Sequence, residues 1–169
     1  MKRALLVIVI LMFLPAAAFA GSDTPKTFLI HVKSSMTKHD ARTSVLPHVV
    51  LTALQHGYKV IILFDDEGVN AIKIGRWYGG HTTPLDKAFL PEQERVALSA
   101  RLGIPATGIP DNYGDLLRFL KGKGVELYAN KVVMDLRNIG EDRFDHAVTP
   151  VAVEKMVEIF ERAAVTVAY

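Results

Sequence analysis

Lys59 to Phe64, Lys-Val-Ile-Ile-Leu-Phe, most narrows the folds open to this chain. It is short, nearly continuous in apolar residues and rich in β-branched ones, so it reads as a strand covered on both faces. That is the habit of parallel sheets. Thr27 to Val32 has the same character and ends at Lys33-Ser34-Ser35. Between the two strands, a helix is expected within Asp40 to His56. Val45, Val49, Ala53 and Leu46, Val50, Leu54 each repeat at four-residue spacing, and Gly57 supplies a stop. Pro47 fits that helix if it lies in the first turn, with Ser44 as N-cap.

The alternation continues along the chain. Val69 to Ile74 reads as a short helix. Gly75 to Tyr113 is irregular apart from a helix over Pro91 to Leu102, stopped by Gly103. Asn112 and Asp115 open a helix that runs to Gly122. A strand comes next over Val125 to Ala129, then a short helix within Lys131 to Ile139 and a brief strand at Ala147-Val148. Thr149 is expected to cap a helix with Pro150 at its first position and an inner stripe of Val153, Met156, Val157 and Phe160. Val165 to Ala168 closes as a last strand. Strands alternating with helices predict an α/β fold, a three-layer αβα sandwich around a mostly parallel twisted sheet, flavodoxin- or Rossmann-like in plan.

The N-terminus has a different logic. Lys2 and Arg3 precede an unbroken apolar run from Ala4 to Leu14. Pro15 ends the run, and Ala18-Phe19-Ala20 stands before Gly21. These parts in this order describe a secretory signal peptide over residues 1–20, cleaved after Ala20. The expected product is a periplasmic or secreted protein with one domain over 21–169 and an irregular insert at about 76–111. The run is too short to span a bilayer, which takes about twenty residues, so no membrane insertion is expected after cleavage. The signal holds two of the 20 basic residues and none of the 18 acidic ones, so the remainder carries balanced charge. That argues against nucleic acid as a partner. The chain contains no cysteine, which removes thiol catalysis, persulfide carriage and thiolate metal sites at a stroke.

The order of elements, with Gly57-Tyr58-Lys59-Val60-Ile61-Ile62-Leu63-Phe64, Asp66-Glu67-Gly68-Val69, the segment Leu116 to Leu127 and the Ala147-Val148-Thr149-Pro150 entry to the last helix, resembles the DsrE/DsrF-like family of sulfur-relay αβα domains. The resemblance covers roughly residues 27–169 outside the insert. It implies a homo-oligomer, a trimer or a multiple of trimers. Sulfur-carrying members have a Cys just beyond the strand that corresponds to Val125–Ala129, and here Asn130 stands at about that place. An amide holds no persulfide, so the resemblance implies the fold without the sulfurtransferase activity.

In a doubly wound sheet, ligands gather at the carboxyl ends of the strands. The candidates there are Ser34, Ser35, Asp65, Asp66, Glu67 and Asn130. The Ser34–Lys38 loop reads first as an ordinary polar turn, and it also offers hydroxyls, amides and an ammonium to a small anion. Asp65 to Glu67 suit a shared proton or a hard cation, or a solvated turn in which one Asp caps the next helix. With Asn130 as a polarising amide they form the carboxylate set of a cofactor-free hydrolase or lyase. Trp77, Tyr78 and His81, beside Gly79-Gly80, are candidates for a partner surface or a lid, or pin their loop to the domain. His31 reads as a core or interface histidine. His48 and His56 share a helical face, but eight residues of rise, about 12 Å, keep them from one metal ion. No metal and no cofactor is expected, and no nucleotide-binding or nucleophile-elbow motif occurs. The leading expectation is an exported DsrE-like domain without sulfurtransferase activity. It would be a homo-oligomeric binding or assembly module in sulfur or redox metabolism, with a small anion or a periplasmic protein as further partner.

Overall fold

The computed structural model describes residues 24–34, 41–74 and 88–169. The expected signal, Ser35 and the Trp77–Tyr78–His81 cluster lie outside the described residues. β1 (Thr27–Val32) and β2 (Lys59–Phe64) pair in parallel over six residues, from Thr27 opposite Lys59 to Val32 opposite Phe64. β3 (Glu126–Asn130) lies on the far side of β2, and β4 (Thr149–Val151) outside β3. β5 (Ala163–Ala168) returns to the outer edge of β1. The sheet order is β4-β3-β2-β1-β5, and every pairing is parallel.

Alternation along the strands divides the core in two. Ile30, Val32, Val60, Ile62 and Phe64 face one layer, formed by α1 (Ala41–Gln55), α2 (Glu92–Leu102) and α3 (Tyr113–Gly122). Leu29, Ile61 and Leu63 face the other, where α5 (Val153–Arg162) sets down Met156 and Ile159. Val60 through Phe64 are wholly buried, which is why the sequence there is apolar at consecutive positions. Each such side chain contributes about 1.5–3 kcal/mol on burial. The short α4 (Lys131–Leu136) comes directly after β3 and crowns its carboxyl end. Among the described residues, no helix is long and apolar enough to cross a membrane.

Several local expectations shift. α1 begins at Ala41, so Ser44 lies inside it and is not its N-cap. Pro47 sits in the interior and forfeits the backbone bond to the Thr43 carbonyl. Val69–Ile74 is not a helix: a 3₁₀ turn spans Asp66–Asn70, and Lys73 forms a lone bridge with Phe144. The brief strand is Thr149–Val151 rather than Ala147-Val148, and Ala152 is the N-cap of α5. Pro150 is therefore in a strand. It is tolerated because β4 is an edge, where a missing donor breaks no ladder. The inner stripe of α5 is Met156 and Ile159. Val153 and Val157 point outward and Phe160 lies at the margin, its ring against His31, because the apolar arc is wider than the face the sheet covers.

Gly68 packs its Cα against the end of β1, where a Cβ would lie 2.1 Å from the Val32 carbonyl oxygen. Gly122, at the end of α3, has nothing within 4 Å of the corresponding position. Gly68→Ala is expected to destabilise by at least about 2 kcal/mol through forced backbone movement. Gly122→Ala should stabilise by about 0.5 kcal/mol by restricting the unfolded chain. Urea denaturation of the two variants checks both signs.

Candidate functional site at the carboxyl edge of the sheet

Because β1, β2 and β3 are adjacent and parallel, their carboxyl ends share one edge. His31 is the penultimate residue of β1, Asp65 comes directly after β2, and Asn130 is the last residue of β3. The register sets Leu63 beside His31 and Phe64 beside Ala129, so Asp65 comes between the other two. His31 Nε2 lies 3.0 Å from Asp65 Oδ2, and Asn130 Nδ2 donates to Asp65 Oδ1 at 2.8 Å. Three strands thus end in one side-chain chain, His31–Asp65–Asn130.

Each member is held from behind. Asn130 Oδ1 accepts from the backbone N–H groups of Val132 and Val133 and so caps α4. Asp65 Oδ1 also accepts from the Asp66 N–H at 2.8 Å, which caps the 3₁₀ turn. Asp66 itself adopts φ 45°, an uncommon conformation for a residue with a side chain. The His31 ring meets Phe160 of α5 edge to face, with centroids 5.1 Å apart. His31 and Asp65 are mostly covered, with side chains 13% and 17% exposed. Burial alone would raise the Asp65 pKa. Hydrogen bonds from Asn130, His31 and the Asp66 N–H outweigh it and hold the carboxyl below the usual carboxylate range.

This arrangement fixes the histidine's chemistry. An ionised Asp65 only accepts, so Nε2 of His31 carries a proton toward it, and a neutral ring leaves its lone pair on Nδ1. The chain is a positioned proton acceptor backed by a carboxylate and an amide. Sequence reading made His31 a core or interface histidine. The signal that would have found it is the parallel register, which sets a residue near the end of β1 beside the first residue after β2.

The other expected residues are partly gathered here. Asp66 and Glu67 are exposed next to Asp65, and Asp66 Oδ1 lies 3.6 Å from Arg137 Nη2 at the end of α4. The Glu67 N–H donates to the Lys33 carbonyl. The Ser34 N–H is committed to the Tyr169 carbonyl at 3.1 Å, as is that of Lys33 at 2.8 Å, so the first amide of the expected anion loop is already used. His48 is engaged with Glu94 of α2 at 2.7 Å, away from this edge. A residue that sequence reading passed over is Lys73, 5% exposed between the 3₁₀ turn and Phe144. Burial, and then the charge of Arg137, push its pKa down to about 8.

With the geometry of this edge described, comparison with known proteins bears on the fold. No family model matches the chain, and no curated protein does. Solved structures do. The ychN protein from E. coli aligns with a TM-score of 0.54 at 11% identity, covering 86% of this chain and 99% of the other. MTH1491 from Methanobacterium thermoautotrophicum, a protein of unknown function, aligns with a TM-score of 0.54 at 13% identity, covering 85% and 99%. The class defined by the sheet and its helices is the parallel αβα sandwich. Within that class, the chain shares the fold of these two proteins.

Asp65 and Lys73 both make the stability of the protein rise with pH, in two separate windows. Asp65 has a depressed folded-state pKa, so its contribution to stability is complete above the ordinary carboxylate range and is lost as pH falls through its lower folded value. Asp65→Asn should destabilise the protein at pH 7 by about 1–3 kcal/mol and flatten the acid side of the stability profile. Lys73 acts with the same sign in the alkaline range, through relief of a burial cost. Below about pH 8 both folded and unfolded states hold the proton, and the cost of burying the charge is fully present. Between about 8 and the unfolded value near 10.5 the unfolded state binds more protons, so stability rises with pH. Lys73→Met should abolish that alkaline rise, as measured by denaturation at pH 7, 8.5 and 10.

Proposed function

We propose that this protein is an exported, homo-oligomeric binding module of the DsrE-like fold, serving sulfur or redox metabolism without carrying sulfur on a thiol. The observation that carries this reading is Asn130. It stands about where the resemblance would put a carrier cysteine, and both ends of its amide are committed, one to α4 and one to Asp65. The edge around Asp65, Asp66, Glu67 and Asn130, with Ser34 just after β1, is the ligand site in this reading. A small anion or a periplasmic protein is the expected ligand. Export rests on the charged, apolar and small-residue order of residues 1–20.

Self-association is supported by the outer surface of α5 and β5. Val153, Val157 and Phe160, at i, i+4 and i+7, are 49%, 50% and 38% exposed. The exposed β5 positions Ala164, Thr166 and Ala168 come after them in the chain. An apolar helical stripe beside an open strand edge needs a cover.

A second reading, a cofactor-free hydrolase or lyase at the same edge, is favoured by the 2.8 Å contact of Asp65 with Asn130 and by His31 as proton acceptor. Turnover of esters, amides or phosphate monoesters that disappears in His31→Gln would support it, and no turnover above buffer counts against it.

Native mass spectrometry of the protein recovered from its own compartment tests the first reading. The expected result is an oligomer of three or a multiple of three chains, cleaved after Ala20, with a reproducible added mass. Val157→Asp should shift it to monomer. A wild-type monomer without added mass overturns both the assembly and the binding role.

A further inference from the structure

A second recess opens on the far side of α4, with its own lining. Beyond the crown that α4 makes over β3, the chain turns through Ile139–Gly140, passes Glu141 and Phe144, and enters β4 at Thr149. A cleft of about 470 Å³ lies between this path and the inner side of α4. Its floor is apolar: Met134, Ile139 and Phe144 are nearly buried, and Pro150 of the edge strand closes one end. The volume suits a small organic molecule, since ligand sites run from about 300 to 1,000 Å³.

The rim carries the polar groups, and they are not equivalent. Lys131 spends its ammonium on both carboxylate oxygens of Asp135, at 3.0 and 2.8 Å, and the two cancel. Glu141 forms no ion pair among the described residues. The imidazole of His146 stands edge to face on Phe144, with centroids 5.2 Å apart, and makes no hydrogen bond among the described residues. The recess thus joins an apolar floor bearing a phenyl ring to a rim with one uncompensated carboxylate and one imidazole. Its net charge is negative with His146 neutral.

We propose that this cleft between α4 and β4 is a binding site for a small aromatic amine. The ring lies over Met134, Ile139 and Phe144, and the ammonium reaches Glu141. Apolar burial supplies affinity, and the carboxylate sets the charge preference. An acid of the same shape would bring its negative charge beside the unpaired Glu141 and bind more weakly. The site takes nothing from Asp65 or Asn130, so it stands whether or not the role proposed for that edge holds.

Tryptamine and indole-3-acetate, which share a ring and differ in the charge of the tail, are the probes. They are titrated into the ¹⁵N-labelled protein, with amide shifts read by NMR. Saturable shifts are expected with tryptamine at Met134, Ile139–Glu141, Phe144 and His146, and none at Asp65. Indole-3-acetate should bind at least tenfold more weakly. Glu141→Gln, a change at an exposed position that leaves the floor intact, should weaken tryptamine by about threefold to fivefold, the range of one exposed ion pair. Equal binding of the two probes, shifts that do not saturate, or an unchanged affinity in Glu141→Gln each overturns the proposal.

Discussion

The demand that β2 be covered on both faces governs this molecule. A strand with five consecutive buried residues tolerates neither an edge position nor a solvated face. It must have a parallel neighbour on each side, a helical layer above and another below. β1 and β3 flank it, α1 to α3 fill one layer, and α5 alone serves the other. The unequal layers have a visible effect. Three helices bury one side thoroughly, whereas the single helix opposite leaves apolar side chains turned outward.

The same arrangement creates the site. Three parallel strands that end together bring side chains from distant parts of the sequence to one line. Local devices then fix them: an asparagine that caps a helix with its oxygen and grips an aspartate with its nitrogen, and an aspartate that caps a turn while receiving a histidine. Asp65 and Asn130 each make several hydrogen bonds, and His31 adds the Phe160 ring contact to its one. Buried polar groups become rigid where every member has partners. The cost of desolvating Asp65 is met by three donors, which is why its carboxylate stays ionised under cover.

Much of the architecture was legible in the sequence, and the reason is periodicity. β1 and β2 have the expected ends, Gly103 terminates α2 in the left-handed conformation, and Asn112 caps α3. The misreadings arise where local chemistry competes with tertiary position. Thr149-Pro150 has the composition of a helix entry, yet the edge of β3 recruits it as a strand. Pro47 suggests a first turn, yet packing of Leu46, Val50 and Leu51 sustains a helix through it. The α5 stripe could not be oriented from the sequence, because its apolar residues offer two equally good inner faces. The site was half legible. Asp65 and Asn130 come from the strand-end rule. His31 and Lys73 do not, since their significance depends on register and on the burial of a neighbouring loop.

The first strand of the sheet finds its second neighbour in the last. β1 pairs with β5, and the Tyr169 carbonyl takes the N–H groups of Lys33 and Ser34 as β1 exits. While the chain is being made, β1 therefore has an open edge until β5 has emerged, and the loop after it lacks its tether. Such a chain closes by its longest-range contact, which delays completion and prolongs the interval in which an apolar strand is available to chaperones or to other chains. Synthesis order thus acts as a timer on this fold: whatever meets the nascent protein before β5 is made meets a β1 with one neighbour.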